Sequence, residues 1–348
     1  MISTLFFDVG NTLIVDSGLP GSMVDWDVLE TVEGAVIAVQ QLSKQYRCLA
    51  VSNATDSSAV QMLEALKKAG FGSAFQAAFT QKEVGNSKNE PGYYKKILER
   101  LHTPADEILM VGDHPAQDVI APSTFGIGSL FFNPTRLNLW KKVQPVQIGE
   151  FNNFTALPAL LNAPTQPALK ECYALLAQYN VADNIVQHQE MVALVAYDLS
   201  MRLIQQRLNI DPILAHRAAL VHDIDRCHPQ NTRETHGILG AKLLRSHGYD
   251  RIADIVAVHV AGDTMEDSIQ LGSWEEKVVC YADKLVNHQH IVSVDERFSE
   301  LKKRYPAHID SLVRAIPKVK KLESEILSAI HLSPETYLDM ILRDLSTD

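Results

Sequence analysis

The hydrophobic periodicity of this chain changes once, and that change limits the folds open to it. Up to about residue 160, short apolar runs such as TLFFDV, RCLAVSN, ILMVGD and IGSLFFN alternate with amphipathic helical patterns. Strands separated by helices are typical of βαβ units, which form a parallel sheet with ligands at the carboxyl ends of its strands. The first half is therefore predicted to be a Rossmann-like α/β domain.

After the segment LLNAPTQPALK, strand patterns nearly vanish and helical periodicity continues to the end of the chain. Two prolines and several small residues mark this segment as a linker. The length of 348 residues also exceeds the roughly 250 to 300 residues at which a single hydrophobic core stops growing. We therefore expect two domains, at residues 1–163 and 169–348 with a boundary near 165, and the second is predicted to be all-α.

The charge and cysteine content narrow the class of protein. With 32 basic and 42 acidic residues the net charge is −10, which disfavours nucleic-acid polymers but allows small phosphorylated metabolites and nucleotides as ligands. No run of 18 apolar residues predicts a membrane span. The four cysteines are scattered and form no CxxC pair, which favours a reducing, cytoplasmic setting.

Polar side chains follow the predicted strands of the first half at four places. They are Asp8 with Thr12, Ser52 with Asn53, Lys88, and Asp113 with Asp118. Together they supply a carboxylate nucleophile, polar groups for phosphate oxygens (Thr12 and Asn53), a cation, and acidic ligands for a hard metal such as Mg²⁺. The pattern predicts a phosphoryl-transfer site at the edge of the sheet.

This order of residues resembles the haloacid dehalogenase superfamily over essentially the whole first half. The resemblance implies that Asp8 is the nucleophile and that Ser52 and Lys88 hold the phosphoryl group. It also implies that Asp8 and Asp113 bind Mg²⁺, with Asp118 in a supporting role.

Gly10 departs from that pattern. In phosphatases of the superfamily the residue two after the nucleophile is usually Asp, a general acid that contributes roughly 10²- to 10⁴-fold to the rate. Branches that break carbon–halogen or carbon–phosphorus bonds lack this acid but carry a sizeable cap domain. The spacing between Thr12 and the next predicted helix, around residues 33–44, leaves no room for a cap. A capless domain of altered or reduced activity is therefore expected.

The second half places metal-ligand residue types on apolar helical stripes. They are His188, His222, Asp223, His236, His259 and Asp283. His188, for example, shares its stripe with Val192, Val195 and Leu199. One histidine on such a stripe is more often a satisfied core residue, but four histidines and two aspartates converging in a helical core indicate a metal site.

The order His, His-Asp, His, His, Asp resembles the HD superfamily of metal-dependent phosphohydrolases from about residue 185 to 290. HGILGAKLLRSHG and WEEKVVCYADKL also resemble its small HDIG-type members, with HDID here in place of HDIG. The resemblance implies two metal positions that share Asp223 as a bridge. His188, His222, Asp223 and Asp283 would hold one ion, and Asp223, His236 and His259 the other.

Mixed nitrogen and oxygen ligands suit Fe, Mn, Co, Ni or Zn. Two such ions would polarise a phosphoryl oxygen and activate water, a mechanism that needs no protein nucleophile and no acid at position 10. Arg226 and Lys284, next to the ligand motifs, are candidate phosphate clamps. The leading hypothesis is a hydrolase of small phosphorylated molecules whose helical domain carries the active site.

Three alternatives accompany this hypothesis. Some HD-fold proteins with this ligand order are di-iron oxygenases that oxidise their substrate. The first domain could retain its own activity, which would make the chain a bifunctional hydrolase. It could instead be a regulatory or oligomerisation module, and an amphipathic C-terminal segment is compatible with a homo-oligomer.

Overall fold

A computed structural model of the chain describes residues 1–163, 166–227, 236–260 and 271–346. The chain divides into two compact units. The first contains Met1–Thr135 and Val146–Ala163, and the second contains Arg136–Pro145 and the described residues from 166 onward. The boundary predicted near residue 165 falls on residues 164 and 165, which lie outside the described residues.

The first unit is built on a parallel sheet of six strands in the order β3-β2-β1-β4-β5-β6. The strands are β1 (Thr4–Asp8), β2 (Arg47–Ser52), β3 (Phe75–Thr80), β4 (Ile108–Gly112), β5 (Gly128–Phe132) and β6 (Gly149–Phe151). β1 lies between β2 and β4, so the strand order reverses there. A crevice opens at the carboxyl ends of the strands at such a switch point.

Both faces of this sheet are buried. Leu5 and Phe7 of β1 belong to one core cluster and Phe6 to another, because alternate side chains of a strand point to opposite faces. Burial on both faces explains why the central strands are continuous apolar runs. The helices of this unit are α1 (Ala35–Leu42), α2 (Ala59–Leu66), α3 (Gln81–Val84), α4 (Gly92–Leu101), α5 (Ala121–Ser123) and α6 (Leu157–Leu161).

The first unit carries no cap at the two places where one could be inserted. Between β1 and α1 the chain forms one 3-10 turn, Met23–Asp25, and isolated bridges. Between β2 and β3 it forms α2 and a π-helical turn at Lys67–Phe71. Within the described residues of this unit, the α/β fold is capless, as predicted.

The second unit is helical, as predicted, and has one continuous core. Its helices are α7 (Leu169–Gln178), α8 (Asp183–Gln205), α9 (Pro212–Leu220), α10 (Ile238–Ser246), α11 (Asp250–Val258), α12 (Trp274–Lys284), α13 (Val294–Arg304), α14 (Ile309–Ala329) and α15 (Pro334–Ser346). Asp211 caps α9 by accepting hydrogen bonds from the backbone N–H groups of Ile213 and Leu214. Among the described residues, none of the helices combines the length and the apolar character that a membrane span requires.

A small hairpin departs from the all-helical expectation. β7 (Val286–Asn287) pairs antiparallel with β8 (His290–Ile291) directly after α12. The two-residue loop between them contains His288 at φ 56°, the left-handed conformation that tight hairpin loops require. The hairpin follows the last predicted ligand helix and returns the chain towards α8.

The segment Arg136–Pro145 belongs to the helical unit although it precedes β6 in sequence. Gln144 donates to the carbonyl of Glu190 at 3.0 Å, and its side-chain oxygen accepts from His216 Nε2. Arg217 donates to the carbonyl of Pro145 at 2.9 Å. His216 and Arg217 are both fully buried, so these hydrogen bonds hold the segment against α9.

His216 makes the stability of the helical unit depend on pH. Its Nδ1 accepts from Arg217 and its Nε2 donates to Gln144, and burial together with the Arg217 charge holds the pKa of His216 well below its usual value. The unfolded chain therefore binds a proton below pH 6.5 that the folded chain does not. The free energy of unfolding should fall as pH decreases below 6.5, by up to about 1.4 kcal/mol per pH unit.

Denaturant unfolding of the wild type and His216→Gln between pH 5 and 8 measures this effect. The variant keeps a donor for Gln144 but does not titrate, so its stability should depend less steeply on pH. His308→Gln, at an exposed histidine of the same unit, is the control and should follow the wild type. An unchanged slope in His216→Gln would contradict the assignment.

Candidate functional sites

The first candidate site lies at the carboxyl ends of β1, β2 and β4. Asp8 ends β1, and the Thr12 hydroxyl lies 2.9 Å from Asp8 Oδ2 and 3.1 Å from Asp113 Oδ1. One carboxylate oxygen from each of Asp8, Asp113 and Asp118 lies within 4.8 Å of the other two. The structure thus brings together the three carboxylates that the sequence assigns to a hard metal ion.

Lys88 is the buried cation of this site. Its Nζ contacts Asp8 Oδ1 and lies 2.8 Å from Asp118 Oδ1, with 1% of the side chain exposed. Burial alone would lower the pKa of this ammonium group, but Asp118 and Asp8 raise the pKa of Lys88 well above its usual value. Lys88 is therefore charged and can neutralise a phosphoryl group bound beside Asp8.

The carboxylates of this site carry unbalanced negative charge. Burial raises the pKa of Asp118 to about 7 despite the opposing charge of Lys88, and burial with the neighbouring charge of Asp8 raises the pKa of Asp113. A hard divalent cation with oxygen ligands would relieve this repulsion. The residues present therefore fit Mg²⁺.

Asp118 and Asn53 fix the loops around the site. Asp118 accepts from the backbone N–H of His114 at 3.0 Å, and a Cβ at Gly112 would lie 2.4 Å from Asp118 Cγ, so only glycine allows this close approach. The Asn53 carbonyl oxygen accepts from the backbone N–H of Lys88 at 2.7 Å, and its amide donates to Gln117 at 2.8 Å. Asn53 thus joins three strand-end loops.

Ser52 ends β2 beside Asp8, and its hydroxyl accepts from the backbone N–H of Ala54 at 3.1 Å. Tyr93 was missed by sequence reasoning: its buried hydroxyl accepts from the backbone N–H of Ser52 at 2.9 Å and lies 2.6 Å from the carbonyl of Phe79. This contact fixes the end of β2. A tyrosine in an amphipathic helix pattern carries no sequence signal for such a role.

Position 10 has room for a side chain. The nearest atoms that a Cβ at Gly10 would meet are Cβ and Oδ2 of Asp16, both at 3.8 Å, which is ordinary van der Waals contact. Gly10 does not adopt a positive φ. The backbone at position 10 would therefore accommodate an acidic residue, and the acid is missing only because the residue there is glycine.

The second candidate site lies in the helical unit. All six predicted ligands were expected on helical faces, but only His188, in α8, and Asp283, in α12, lie inside helices. The others lie in turns at helix ends: His222 and Asp223 after α9, His236 before α10 and His259 after α11. The apolar periodicity of a helix continues for one or two residues beyond its last hydrogen-bonded turn. The sequence pattern therefore does not distinguish a residue inside a helix from one just outside it.

Each of the four histidines directs Nε2 towards the same centre. Nδ1 of His222 donates to the carbonyl of Ala219 at 2.7 Å, and Nδ1 of His259 donates to that of Val256 at 2.6 Å. Nδ1 of His188 lies 3.2 Å from the carbonyl of His288, and Nδ1 of His236 bonds a carboxylate. Because these oxygens only accept, Nδ1 of each ring carries a proton, and Nε2 is the nitrogen that faces the site.

The inward nitrogens surround Asp223. Asp223 Oδ1 lies 2.9 Å from Nε2 of His236 and 3.7 Å from Nε2 of both His222 and His259. On the other side, Asp283 Oδ1 lies 3.0 Å from Nε2 of His188 and 3.6 Å from that of His222. Asp223 therefore belongs to two groups of ligand atoms, one with His188 and His222 and one with His236 and His259.

Two observations test whether these residues fit transition-metal ions. His222 Nε2 is buried and has no hydrogen-bond partner among the described residues, which is costly unless something binds it. The Nε2 atoms of His236 and His259 lie 3.3 Å apart, a contact that needs a shared proton or a cation. Nitrogen and carboxylate donors in this arrangement fit Fe, Mn, Co, Ni or Zn.

The charges of the site favour metal binding. Burial alone would raise the pKa of Asp223, but His222, His236 and His259 hold it well below its usual range. Burial lowers the pKa of His236, yet hydrogen bonds to Asp223 and Asp225 raise it to about 9. Asp223 is thus ionised, and a metal ion would replace the proton held by His236.

The two predicted phosphate clamps occupy different environments. Arg226 Nε lies 3.1 Å from Asp223 Oδ1, and 44% of the arginine side chain is exposed. Lys284 Nζ lies 2.6 Å from Asp283 Oδ2, and its side chain is 2% exposed. Burial opposes ionisation of Asp283, but Lys284 and His188 hold its pKa well below its usual range.

Family models match both halves of the chain. The haloacid dehalogenase-like hydrolase model matches residues 21–132, and the HD domain model matches residues 185–288. The chain therefore contains a haloacid dehalogenase-like hydrolase domain in its first unit and an HD domain in its second, as the motifs predicted. Both are metal-dependent hydrolase families, so the chain is a phosphoester-acting hydrolase.

Individual proteins match parts of the chain. An uncharacterized protein of Methanocaldococcus jannaschii is 32% identical over 146 residues, which cover 39% of this chain and 85% of that protein. The tRNA (cytidine(56)-2'-O)-methyltransferase of Picrophilus torridus is 31% identical over 190 residues, and the match covers 51% of each chain. The solved 2-haloacid dehalogenase of Pseudomonas syringae shares 15% identity at a TM-score of 0.38, over 47% of this chain and 99% of that chain.

Metal binding should stabilise the helical unit. Because the ligand atoms converge only in the folded chain, Co²⁺ or Mn²⁺ at 100 times its dissociation constant should raise the free energy of unfolding by about 2.7 kcal/mol. Thermal unfolding with and without metal measures this shift. His188→Ala should reduce it and His308→Ala should not, whereas an equal shift in both variants would place the metal elsewhere.

Proposed function

We propose that the helical unit carries the principal active site and hydrolyses a phosphoester or phosphoanhydride of a small phosphorylated molecule, such as a nucleotide, at a site for two transition-metal ions. The observation that carries the proposal is the position of Asp223 Oδ1, within 3.7 Å of Nε2 of His222, His236 and His259. A carboxylate shared by two ligand groups suits a bridged pair of ions.

The proposed ligand residues have different roles at that site. Asp223 would bridge the ions, with His188, His222 and Asp283 on one side and His236 and His259 on the other. Bound ions of this kind polarise a phosphoryl oxygen and activate water. The protein supplies fixed ligands, since each imidazole is oriented by its Nδ1 hydrogen bond.

Arg226 is the better placed of the two proposed clamps. Its partly exposed guanidinium lies beside Asp223, where an incoming phosphate would approach. Lys284 is buried against Asp283 and would keep that carboxylate ionised and oriented. Arg226 is therefore assigned to substrate binding, and Lys284 to the support of a metal ligand.

A second candidate function is a Mg²⁺-dependent phosphatase activity of the first unit, which would make the chain bifunctional. It is favoured by the proximity of Asp8, Lys88, Asp113 and Asp118, which together could bind a phosphoryl group and Mg²⁺. Gly10 leaves this site without the acid that protonates a leaving alkoxide. We expect its activity to be confined to good leaving groups, or to be replaced by phosphate binding that regulates the helical unit.

The net charge and the free cysteines of the chain bear on its proposed substrate and cellular compartment. A net charge of −10 opposes binding of a nucleic-acid polymer. We therefore propose a small anionic substrate whose charge is neutralised within the site. The described residues include all four cysteines, and no disulfide joins them. This is consistent with a reducing, cytoplasmic setting.

A substrate screen tests the proposal. The full-length protein is supplied with Mg²⁺, Mn²⁺, Fe²⁺, Co²⁺, Ni²⁺ or Zn²⁺ and offered phosphomonoesters, cyclic nucleotides, dinucleoside polyphosphates, phosphonates and a tRNA. We expect phosphate or nucleotide release from a small molecule that depends on a transition metal. Consumption of O₂ with an oxidised product would instead support a di-iron oxygenase, and cleavage of tRNA alone would contradict the small-molecule assignment.

A further inference from the structure

Asp225 lies in the turn that follows the ligand pair His222 and Asp223, and its side chain is 1% exposed. Its Oδ1 accepts the Nδ1 proton of His236 at 2.7 Å. Its Oδ2 accepts from the backbone N–H of Gly237 at 2.9 Å and from that of Gly240 at 3.0 Å. One buried carboxylate therefore binds a proposed metal ligand and the start of α10 at the same time.

These contacts determine which nitrogen of His236 faces the site. A carboxylate oxygen accepts hydrogen bonds, so Nδ1 of His236 carries the proton that it shares with Asp225. Nε2 then points at Asp223 Oδ1, 2.9 Å away, and at Nε2 of His259, 3.3 Å away. Nε2, the nitrogen left available to a metal ion, thereby faces the other members of the second ligand group.

The local backbone is shaped around this carboxylate. Gly237 has φ 85°, a conformation that residues with a side chain rarely adopt, and it brings its N–H to Asp225. A Cβ at Gly240 would lie 3.3 Å from Val256 Cγ1 and 3.5 Å from Asp225 Cγ. The shape of the turn thus allows Asp225 to be buried. Each of its described polar contacts is with His236 or with the start of α10.

We propose that Asp225 is a positioning residue for the second metal position, the one formed by Asp223, His236 and His259. It fixes the ring orientation and proton position of His236 so that Nε2 is the ligand atom. This inference deepens the proposed function and depends on the two-ion site described there. Outer carboxylates of this kind typically contribute 10- to 100-fold to metal affinity.

Asp225→Asn separates this role from a purely structural one. The carboxamide oxygen can still accept from Gly237 and Gly240, which places the amide NH₂ against Nδ1 of His236. In the opposite orientation of the amide, its NH₂ group would face the backbone N–H groups of Gly237 and Gly240. These are also donors, so this orientation is disfavoured. Nδ1 must then accept and the proton moves to Nε2. A metal ion can bind His236 only if the proton returns to Nδ1, where it faces the amide NH₂, so binding is weakened. Asp225→Ala removes all three hydrogen bonds and reports the structural contribution.

The experiment titrates Co²⁺ into metal-free, full-length wild type, Asp225→Asn, Asp225→Ala and the control Asp254→Asn. Asp254, in α11, forms a surface ion pair with Arg245, in α10. Among the described residues, it forms no ion pair with a predicted metal ligand. Calorimetry gives the number and affinity of bound ions, and visible absorption distinguishes imidazole-bound Co²⁺ from Co²⁺ bound by oxygen alone. Thermal unfolding of the metal-free proteins is recorded in parallel.

We expect the wild type and Asp254→Asn to bind two imidazole-ligated ions. Asp225→Asn should bind one of them 10- to 100-fold more weakly and keep the other, with a metal-free melting temperature closer to the wild type than that of Asp225→Ala. If the wild type binds two such ions and Asp225→Asn binds both unchanged, the positioning role is overturned and the proposed function stands. The role is also overturned if Asp225→Asn is destabilised as much as Asp225→Ala. If the wild type binds no imidazole-ligated ion, the proposed function itself fails.

Discussion

Replacing Asp223 with alanine is expected to abolish metal-dependent phosphate release by this protein. Asp223 is the one residue proposed as a ligand for both metal positions, so its removal would take a ligand from each of them. The loss should exceed the roughly 10²- to 10³-fold that removal of one oxyanion-hole donor costs an enzyme. Steady-state rates on the substrate found by screening, with metal content measured on the same samples, check this result.

Controls separate lost chemistry from lost fold. Asp223→Asn keeps the size of the side chain and removes its charge, and it should lose activity nearly as completely. Asp254→Ala, at a surface carboxylate of the same unit, should keep full activity. Circular dichroism should show the helical content of all three variants unchanged. Activity of Asp223→Ala within tenfold of the wild type would contradict the assignment.

Introducing an acid at position 10 is expected to increase Mg²⁺-dependent hydrolysis of an alkyl phosphomonoester by roughly 10²- to 10⁴-fold. The carboxylates, the hydroxyl and the cation of the first site are already in contact, and a Cβ at Gly10 meets only Asp16, at 3.8 Å. The nearby Asp16 carboxylate would raise the pKa of the new acid and favour its protonated form. Gly10→Asp therefore supplies the missing proton donor.

Gly10→Asn is the matched control, because it has the same shape without the acid, and it should show no gain. Combining Gly10→Asp with Asp8→Ala should remove the gain if Asp8 is the nucleophile. The gain should also be smaller on an aryl phosphate, whose leaving group needs less protonation. Equal gains from Asp and Asn at position 10, or none from Asp, would show that the missing acid does not limit this site.

The sequence predicted the central strands better than the edges of the sheet. β1, β2, β4 and β5 are buried apolar runs, and each was recognised from its pattern. β3 lies at an edge and mixes buried with exposed residues, while β6 has three residues. Neither produces a clear periodic signal, since edge strands bury less of their surface.

The composition of the helical site was predictable, but its local geometry was not. Residue type and order identified the six proposed ligands that the structure brings together. The helix-end positions of His222, His236 and His259 were missed because periodicity does not resolve where a helix ends. The contacts of Asp225 depend on a turn whose shape has no sequence period, and the attachment of Gln144 to His216 joins residues 72 positions apart.

The most direct test compares transition-metal-dependent phosphate release by wild type, Asp8→Ala and Asp223→Ala under one set of conditions. The account predicts that Asp8→Ala keeps this activity and that Asp223→Ala loses it, which places the chemistry in the helical unit. Loss of the activity in Asp8→Ala together with its retention in Asp223→Ala would contradict the account and assign the reaction to the first unit.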